Sequence, residues 1–316
     1  MTVVRKKENV SEYTLITAIG TPLNADESLH TEGLHAQIDD QFRSGMTGLL
    51  VGGTMGLMQL LARNTYLQLI DESIAAAHDR GEVLVGVGDV SLARTLERVE
   101  LLNQKRVDGA VALCPFLIKF SQPELVDYFS AVADASKHPL FLYDLPIMTG
   151  TKLELDTVRS LARHPNIHGI KCSCEMGWTR QLIDENLPGF RVIVAQAEMI
   201  DVLFRSGVTE HLDGIFAAAP QWVAGIAHAA VRGDWDEAAV QQQKLIGLLR
   251  VVREHGVFQA FTAIMNARGF PGSFAPRPYR PLEAGKAETL LQLPIIRELL
   301  ATPSPRERDR APAAVH

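Results

Sequence analysis

Leu140-Phe141-Leu142-Tyr143, an amphipathic stretch from Glu154 to Ala162, and then Ile167-His168-Gly169-Ile170-Lys171-Cys172-Ser173 form the unit on which this chain is built. A short, wholly apolar run reads as a strand buried on both faces. Two such strands joined by a helix-length crossover lie parallel. Working back toward the N-terminus, the same unit recurs. Gly109 to Leu113 is followed by a helix over Gln122–Ser136, and Val83 to Gly88 by a helix over Ser91–Lys105. Gly48 to Thr54 precedes a helix over Arg63–His78, and Leu15 to Ile19 one over Thr31–Arg43. Toward the C-terminus, Lys171 is followed by a helix around Trp178–Ile183. Arg191–Ala195 then pairs with a helix over Met199–Ser206, and a strand over Leu212–Ala217 with a helix over Gln221–Val231. Eight strand–helix units between Leu15 and Val231 predict a closed (β/α)8 barrel. The alternative, a doubly wound open sheet, lacks the Gly-x-Gly-x-x-Gly turn of a dinucleotide fold.

Residues 1–232 are therefore read as the barrel, and 233–300 as a helical extension. Its expected helices are Trp235–Glu254, Val257–Ala267 and Ala284–Leu300. Residues 301–316, rich in proline and charge, read as a disordered tail. The 316 residues are 47% hydrophobic and 22% charged, ordinary for a globular protein with a large core. A net charge of −6 gives no basic field for nucleic acid. No apolar run reaches the roughly 18 residues of a membrane span. The polar first residues have no apolar run of a secretory signal after them. Three cysteines, Cys114, Cys172 and Cys174, fit a reducing cytoplasm better than a disulfide framework.

In such a barrel, chemistry gathers at the C-terminal ends of the strands. Lys171 ends the sixth strand, Tyr143 the fifth, and Thr54 follows the second. Ile167, Gly169 and Lys171 share a strand face, so Gly169 leaves room beneath the lysine if that face looks inward. Desolvation disfavours an ammonium, and a neutral amine attacks a ketone to form a Schiff base. A neighbouring phenol passes protons to and from the adduct. A glycine-rich turn ending in threonine offers N–H groups and a hydroxyl to a carboxylate.

These segments resemble the class I, Schiff-base-forming lyases typified by dihydrodipicolinate synthase and N-acetylneuraminate lyase, from about Tyr13 to Leu300. Thr21-Pro22-Leu23 is similar to the family's Thr-Pro-Phe, and Gly53-Thr54-Met55-Gly56 to its Gly-(Thr/Ser)-Thr-Gly. Tyr143-Asp144-Leu145-Pro146 with Thr149-Gly150 is similar to Tyr-Asn-x-Pro-x-x-(Thr/Ser)-Gly, and Gly169-Ile170-Lys171 to Gly-Ile/Leu-Lys. Each fragment alone is weak; four in order on the right strands are specific. The resemblance implies an enzyme acting on pyruvate or another 2-keto acid by reversible aldol cleavage or condensation. It implies Lys171 as nucleophile, Tyr143 as proton relay, and Gly53, Thr54 and Met55 around the keto acid's carboxylate. It places Phe216 where the family lines the pocket with a backbone carbonyl. It implies no metal or organic cofactor, because the covalent Schiff base is the electron sink, and a homo-oligomer, dimer or tetramer.

Four positions depart from the pattern. Met55 replaces a hydroxyl residue, Leu57 a glutamate, Met148 an arginine that holds a carboxylate, and Leu117 stands near a relay tyrosine. Loss of the arginine removes a charge-assisted contact. The departures shift the expectation from dihydrodipicolinate synthase proper to a lyase for a 2-keto-3-deoxy-type or more apolar keto acid. The alternatives are the synthase itself, an idle keto-acid-binding relative, and a barrel enzyme using Lys171 only as a charge. Cys172 and Cys174 lack two further ligands nearby for zinc and read as packing residues. His168 reads as a core or edge histidine and Glu198 as a helix N-terminal carboxylate. Asp144 is read equally as an orienter of its loop or a solvated or hydrogen-bonded turn residue. Arg94, Arg98, Lys105 and Arg106 read as a solvated helix face.

Overall fold

The structure, a computed structural model, describes residues 13–302. The first half runs β1 (Thr14–Ala18), α1 (Thr31–Arg43), β2 (Gly48–Val51), α2 (Arg63–Ala77), β3 (Glu82–Gly86), α3 (Leu92–Leu102), β4 (Gly109–Leu113) and α4 (Gln122–Ala135). The second runs β5 (Leu140–Asp144), α5 (Pro146–Thr149), α6 (Leu155–Leu161), β6 (Ile167–Cys172), α7 (Met176–Asp184), β7 (Arg191–Val194), α8 (Ile200–Arg205), β8 (Glu210–Asp213) and α9 (Pro220–Arg232). The strands pair in chain order, all parallel, and β8 closes onto β1. The fold is the expected (β/α)8 barrel. After the barrel the chain continues through α10 (Trp235–Glu254), α11 (Val257–Ala267), α12 (Ala284–Gln292) and α13 (Pro294–Ala301).

Local signals set the helix starts. Ser121 and Glu124 close a capping box on α4, and Asp234 accepts the Glu237 N–H at 3.1 Å to open α10. Proline opens α9 and α13, where a missing N–H costs nothing. The same chemistry corrects one expectation. Ala284–Leu300 is two helices, because Pro294 cannot continue α12.

A second correction concerns the eighth strand. Leu212–Ala217 is not one strand: β8 ends at Asp213, and Ile215–Ala217 is a turn of 3-10 helix. Ile215, Phe216 and Ala217 are buried in one cluster with residues of α9, α10 and α11. A buried turn is as apolar as a buried strand, so composition alone does not separate them. A third concerns α3. Arg98 is mostly buried, donates to the Gly88 carbonyl at 3.0 Å and pairs with the buried Asp89 at 2.6 Å. Of the expected tail over 301–316, Ala301 instead ends α13, and residues 303–316 lie outside the described residues.

Inside the barrel, Ile16, Leu50, Leu84, Val111, Phe141, Ile193 and Leu212 pack together, and each such burial contributes about 1.5–3 kcal/mol. Arg191 closes the N-terminal end, pairing with Glu210 at 2.8 Å and Glu82 at 2.6 Å. Its guanidinium lies 5.3 Å from the Phe141 ring centroid. Gly169 is required here. A Cβ on it would stand 2.6 Å from the Arg191 carbonyl oxygen and 3.0 Å from Phe141. The room that this glycine leaves is filled by Phe141 and the Arg191 strand, and they form the floor beneath the lysine's layer.

On β8, His211 is fully buried, and its Nε2 lies 3.2 Å from the Val208 carbonyl oxygen. Burial pulls its pKa down from 6.5 to about 4. The neutral ring is thus favoured in the folded chain. Its contribution is complete above pH 6.5 and is lost as the pH falls toward 4, a loss on the order of 3 kcal/mol. His211→Leu should therefore flatten the acid limb of stability. Urea unfolding of both proteins between pH 7 and pH 4.5 checks this; parallel losses in the two would contradict it.

Candidate active site

The register of β5 and β6 sets Tyr143 directly beside Lys171. Both are buried, at 3% and 4% exposure. The Lys171 Nζ lies 3.9 Å from the centroid of the Tyr143 ring, so the amine stacks on the face of the phenol. The phenol oxygen lies 3.2 Å from the Thr54 hydroxyl, in hydrogen-bond contact. Amine, phenol and threonine thus form one connected group drawn from two strands and the turn after β2.

The turn carrying Thr54 is held from below. Gly52 has φ +62°, a region that glycine enters freely. The Thr21 hydroxyl donates to the Gly56 carbonyl at 2.8 Å, so the Thr21-Pro22-Leu23 segment braces the turn. On the back of β5, Asp144 is fully buried. Its Oδ1 accepts the Leu153 N–H at 3.1 Å and its Oδ2 the Lys152 ammonium. Asp144 is thus hydrogen-bonded and not solvated, and it ties the chain after α5 to the strand that carries Tyr143.

Lys171, Tyr143, Thr54 and Met55 line one cavity of about 280 Å³. Gly53 does not line it; it is buried close to the Leu50 side chain. Phe216 does not either: it lies in the hydrophobic core, and Asp213, Gly214 and Ile215 reach the cavity from that segment instead. Met55 lies against the Gly214 backbone. None of Cys114, Cys172 and Cys174 lines the cavity; all three are free and buried. His168 is exposed on the outside of β6.

Three groups escaped sequence reasoning. Asp213 escaped because β8 was expected to run past it. Burial raises its carboxyl pKa, opposed by the Ile215 N–H, which donates to Oδ1 at 3.0 Å, and by the nearby Lys171. Arg253 of α10 reaches the cavity and pairs with Glu198 at 2.5 Å. Leu249, Val252, Val257, Phe258 and Phe261, from α10 and α11, form an apolar wall with Leu145 and Met148. Their helices were expected behind the barrel, and no local signal shows that they overhang its mouth.

The sequence model of the dihydrodipicolinate synthetase family matches residues 12–293. The chain belongs to this family. Among its relatives, a 4-hydroxy-tetrahydrodipicolinate synthase of Exiguobacterium sp. is 28% identical over 87% of this chain and 94% of its own. An N-acetylneuraminate lyase of Rhizobium meliloti is 26% identical over 85% and 90%. Among solved structures, YagE, a prophage protein of the dihydrodipicolinic acid synthase family from E. coli K12 in complex with pyruvate, superposes with a TM-score of 0.83. It is 26% identical, over 91% of this chain and 98% of that one.

The mouth of this cavity is largely apolar. Met148, in the place expected for an arginine, lines it while 61% exposed. Leu117 and Ile118 are also exposed, and their loop meets the one after β5 where Lys119 approaches Gly150. Among the described residues, no helix is long and apolar enough to cross a membrane.

Proposed function

We propose that this chain is a Schiff-base-forming carbon–carbon lyase that cleaves or forms an aldol bond next to pyruvate or a related 2-keto acid. The observation that carries this is the Lys171 amine stacked on Tyr143, whose phenol is tied to Thr54 within one cavity. The pyruvate complex of YagE supports pyruvate as the keto acid.

In this reading Lys171 attacks the keto carbon. Tyr143 passes protons as the carbinolamine loses water, and the Thr54 turn receives the carboxylate. The protonated imine draws electrons from the breaking C3–C4 bond, so the chemistry calls for no metal or organic cofactor. The wall built by Met148, Leu249, Val252 and Phe258 favours a substrate whose far half is apolar. The exposed apolar loops bearing Leu117, Ile118, Ile147 and Met148 suit contact with a second copy of the chain. Three free thiols fit a cytoplasmic setting.

A panel of 4-hydroxy-2-keto acids tests the substrate class, with pyruvate release as the readout. Compounds with an alkyl or aryl far end should exceed those ending in a carboxylate by about 10–200-fold in kcat/KM. Efficient condensation of pyruvate with aspartate semialdehyde by the purified protein would overturn this assignment.

A further inference from the structure

Cys172, Ser173 and Cys174 follow Lys171 at the end of β6 and in the turn after it. Side chains alternate along an extended chain. Lys171 and Ser173 line the cavity. Cys172 and Cys174 therefore share the outer side, where both belong to the apolar layer between the strands and the helices. The Ser173 N–H donates to the Asp144 carbonyl at 2.9 Å, which carries the β5–β6 ladder past Cys172, and the chain bends at Cys174. Two extended residues advance about 6.5 Å, within the roughly 4.4–6.8 Å between Cα atoms that a disulfide bridges. Both cysteines are free, and their thiols hydrogen-bond to one another.

The two thiols are not equivalent. Cys174 is 8% exposed and Cys172 0%, so a small solute meets Cys174 first. The Cys174 sulfur lies 3.4 Å from the Thr179 hydroxyl. The Cys172 thiol first, then this hydroxyl and the Lys152 ammonium, hold the Cys174 thiol below the ordinary thiol range, with burial and Asp144 opposing them. Burial pushes the Cys172 thiol well above that range. The thiolate is the attacking form of a cysteine. Cys114 is placed differently. Leu113 pairs with Tyr143, and Asp144 with Cys172, so Cys114 stands two strands from Cys172, about 10 Å away. Burial pushes its thiol up to about 12.

We infer that Cys172 and Cys174 form a dithiol modification site, at which a peroxide closes an intramolecular disulfide behind the lysine's strand end. The Cys174 thiolate attacks one peroxide oxygen and the O–O bond breaks. Cys174 becomes a sulfenic acid, and the leaving hydroxide takes a proton to become water. The Cys172 sulfur then gives up its proton and attacks the Cys174 sulfur. The S–S bond forms, the S–O bond breaks, and the departing hydroxide takes that proton as a second water. Two thiols lose two electrons, and the peroxide gains them. The ring takes in Ser173, so the modification lies directly behind the cavity wall that Lys171 and Ser173 share.

Hydrogen peroxide added to the reduced full-length protein tests this. The intact mass should fall by about 2 Da. N-ethylmaleimide in denaturant should then label Cys114 alone, where the untreated protein takes the label on Cys114, Cys172 and Cys174. Dithiothreitol should restore all the labels, and peptide mapping should place the disulfide between Cys172 and Cys174. In Cys172→Ser, which lacks the resolving thiol, dimedone should mark a sulfenic acid on Cys174. Peroxide-treated wild type that still takes every label would overturn the inference. So would a disulfide that includes Cys114, or one that joins two chains. Dimedone on Cys114 in place of Cys174 in the variant would overturn the assignment of the attacking sulfur.

Discussion

Lys171→Ala removes imine formation altogether and lowers turnover of any keto-acid substrate by at least about 10³-fold. The size of the effect follows from the cavity's composition. Among the described residues, Lys171 is the only amine that lines it, and Arg253, the other cation, is not a nucleophile. No neighbour replaces the lost group. Lys171→Arg sharpens the result. It keeps a positive charge near Tyr143 but forms no imine, so a nucleophilic lysine predicts the same loss as alanine. A lysine acting only as a charge predicts substantial activity in the arginine variant. Thermal melts of both variants show whether the barrel is intact, and the activity is read as pyruvate release.

Tyr143→Phe is expected to lower kcat by about 10²–10³-fold while leaving the imine detectable on long incubation. The phenylalanine ring keeps the face on which the amine stacks and fills the same buried volume. Only the hydroxyl and its contact with Thr54 disappear. Carbinolamine collapse then depends on water, which the buried site admits poorly. Single-turnover kinetics followed by borohydride quench separate this slow step from binding. Wild-type rates in the variant would remove Tyr143 from the relay and leave the stacking as its role.

The barrel was legible because parallel strands buried on both faces have a plain signature. Runs such as Gly109–Leu113 and Leu140–Tyr143 are apolar throughout, and each is followed by a helical period. Lys171, Tyr143 and Thr54 were legible for a related reason, since the strand ends fix where side chains converge in this fold. Misreadings fell where burial no longer tracks secondary structure. Phe216 lies in an apolar turn that continues the pattern of β8, and reading the strand through it concealed Asp213 at the true strand end. Arg98 is charged yet mostly buried, because Asp89 and the Gly88 carbonyl satisfy it. The apolar wall from α10 and α11 depends on how distant helices dock, and no local spacing encodes that.

Borohydride reduction in the presence of pyruvate, read by intact mass and peptide mapping, tests the central claim most directly. The account predicts a single reduced adduct whose mass gain matches pyruvate joined through a secondary amine, mapped to Lys171 and missing from Lys171→Ala. An unmodified wild-type protein, or an adduct carried by a different lysine, would contradict it.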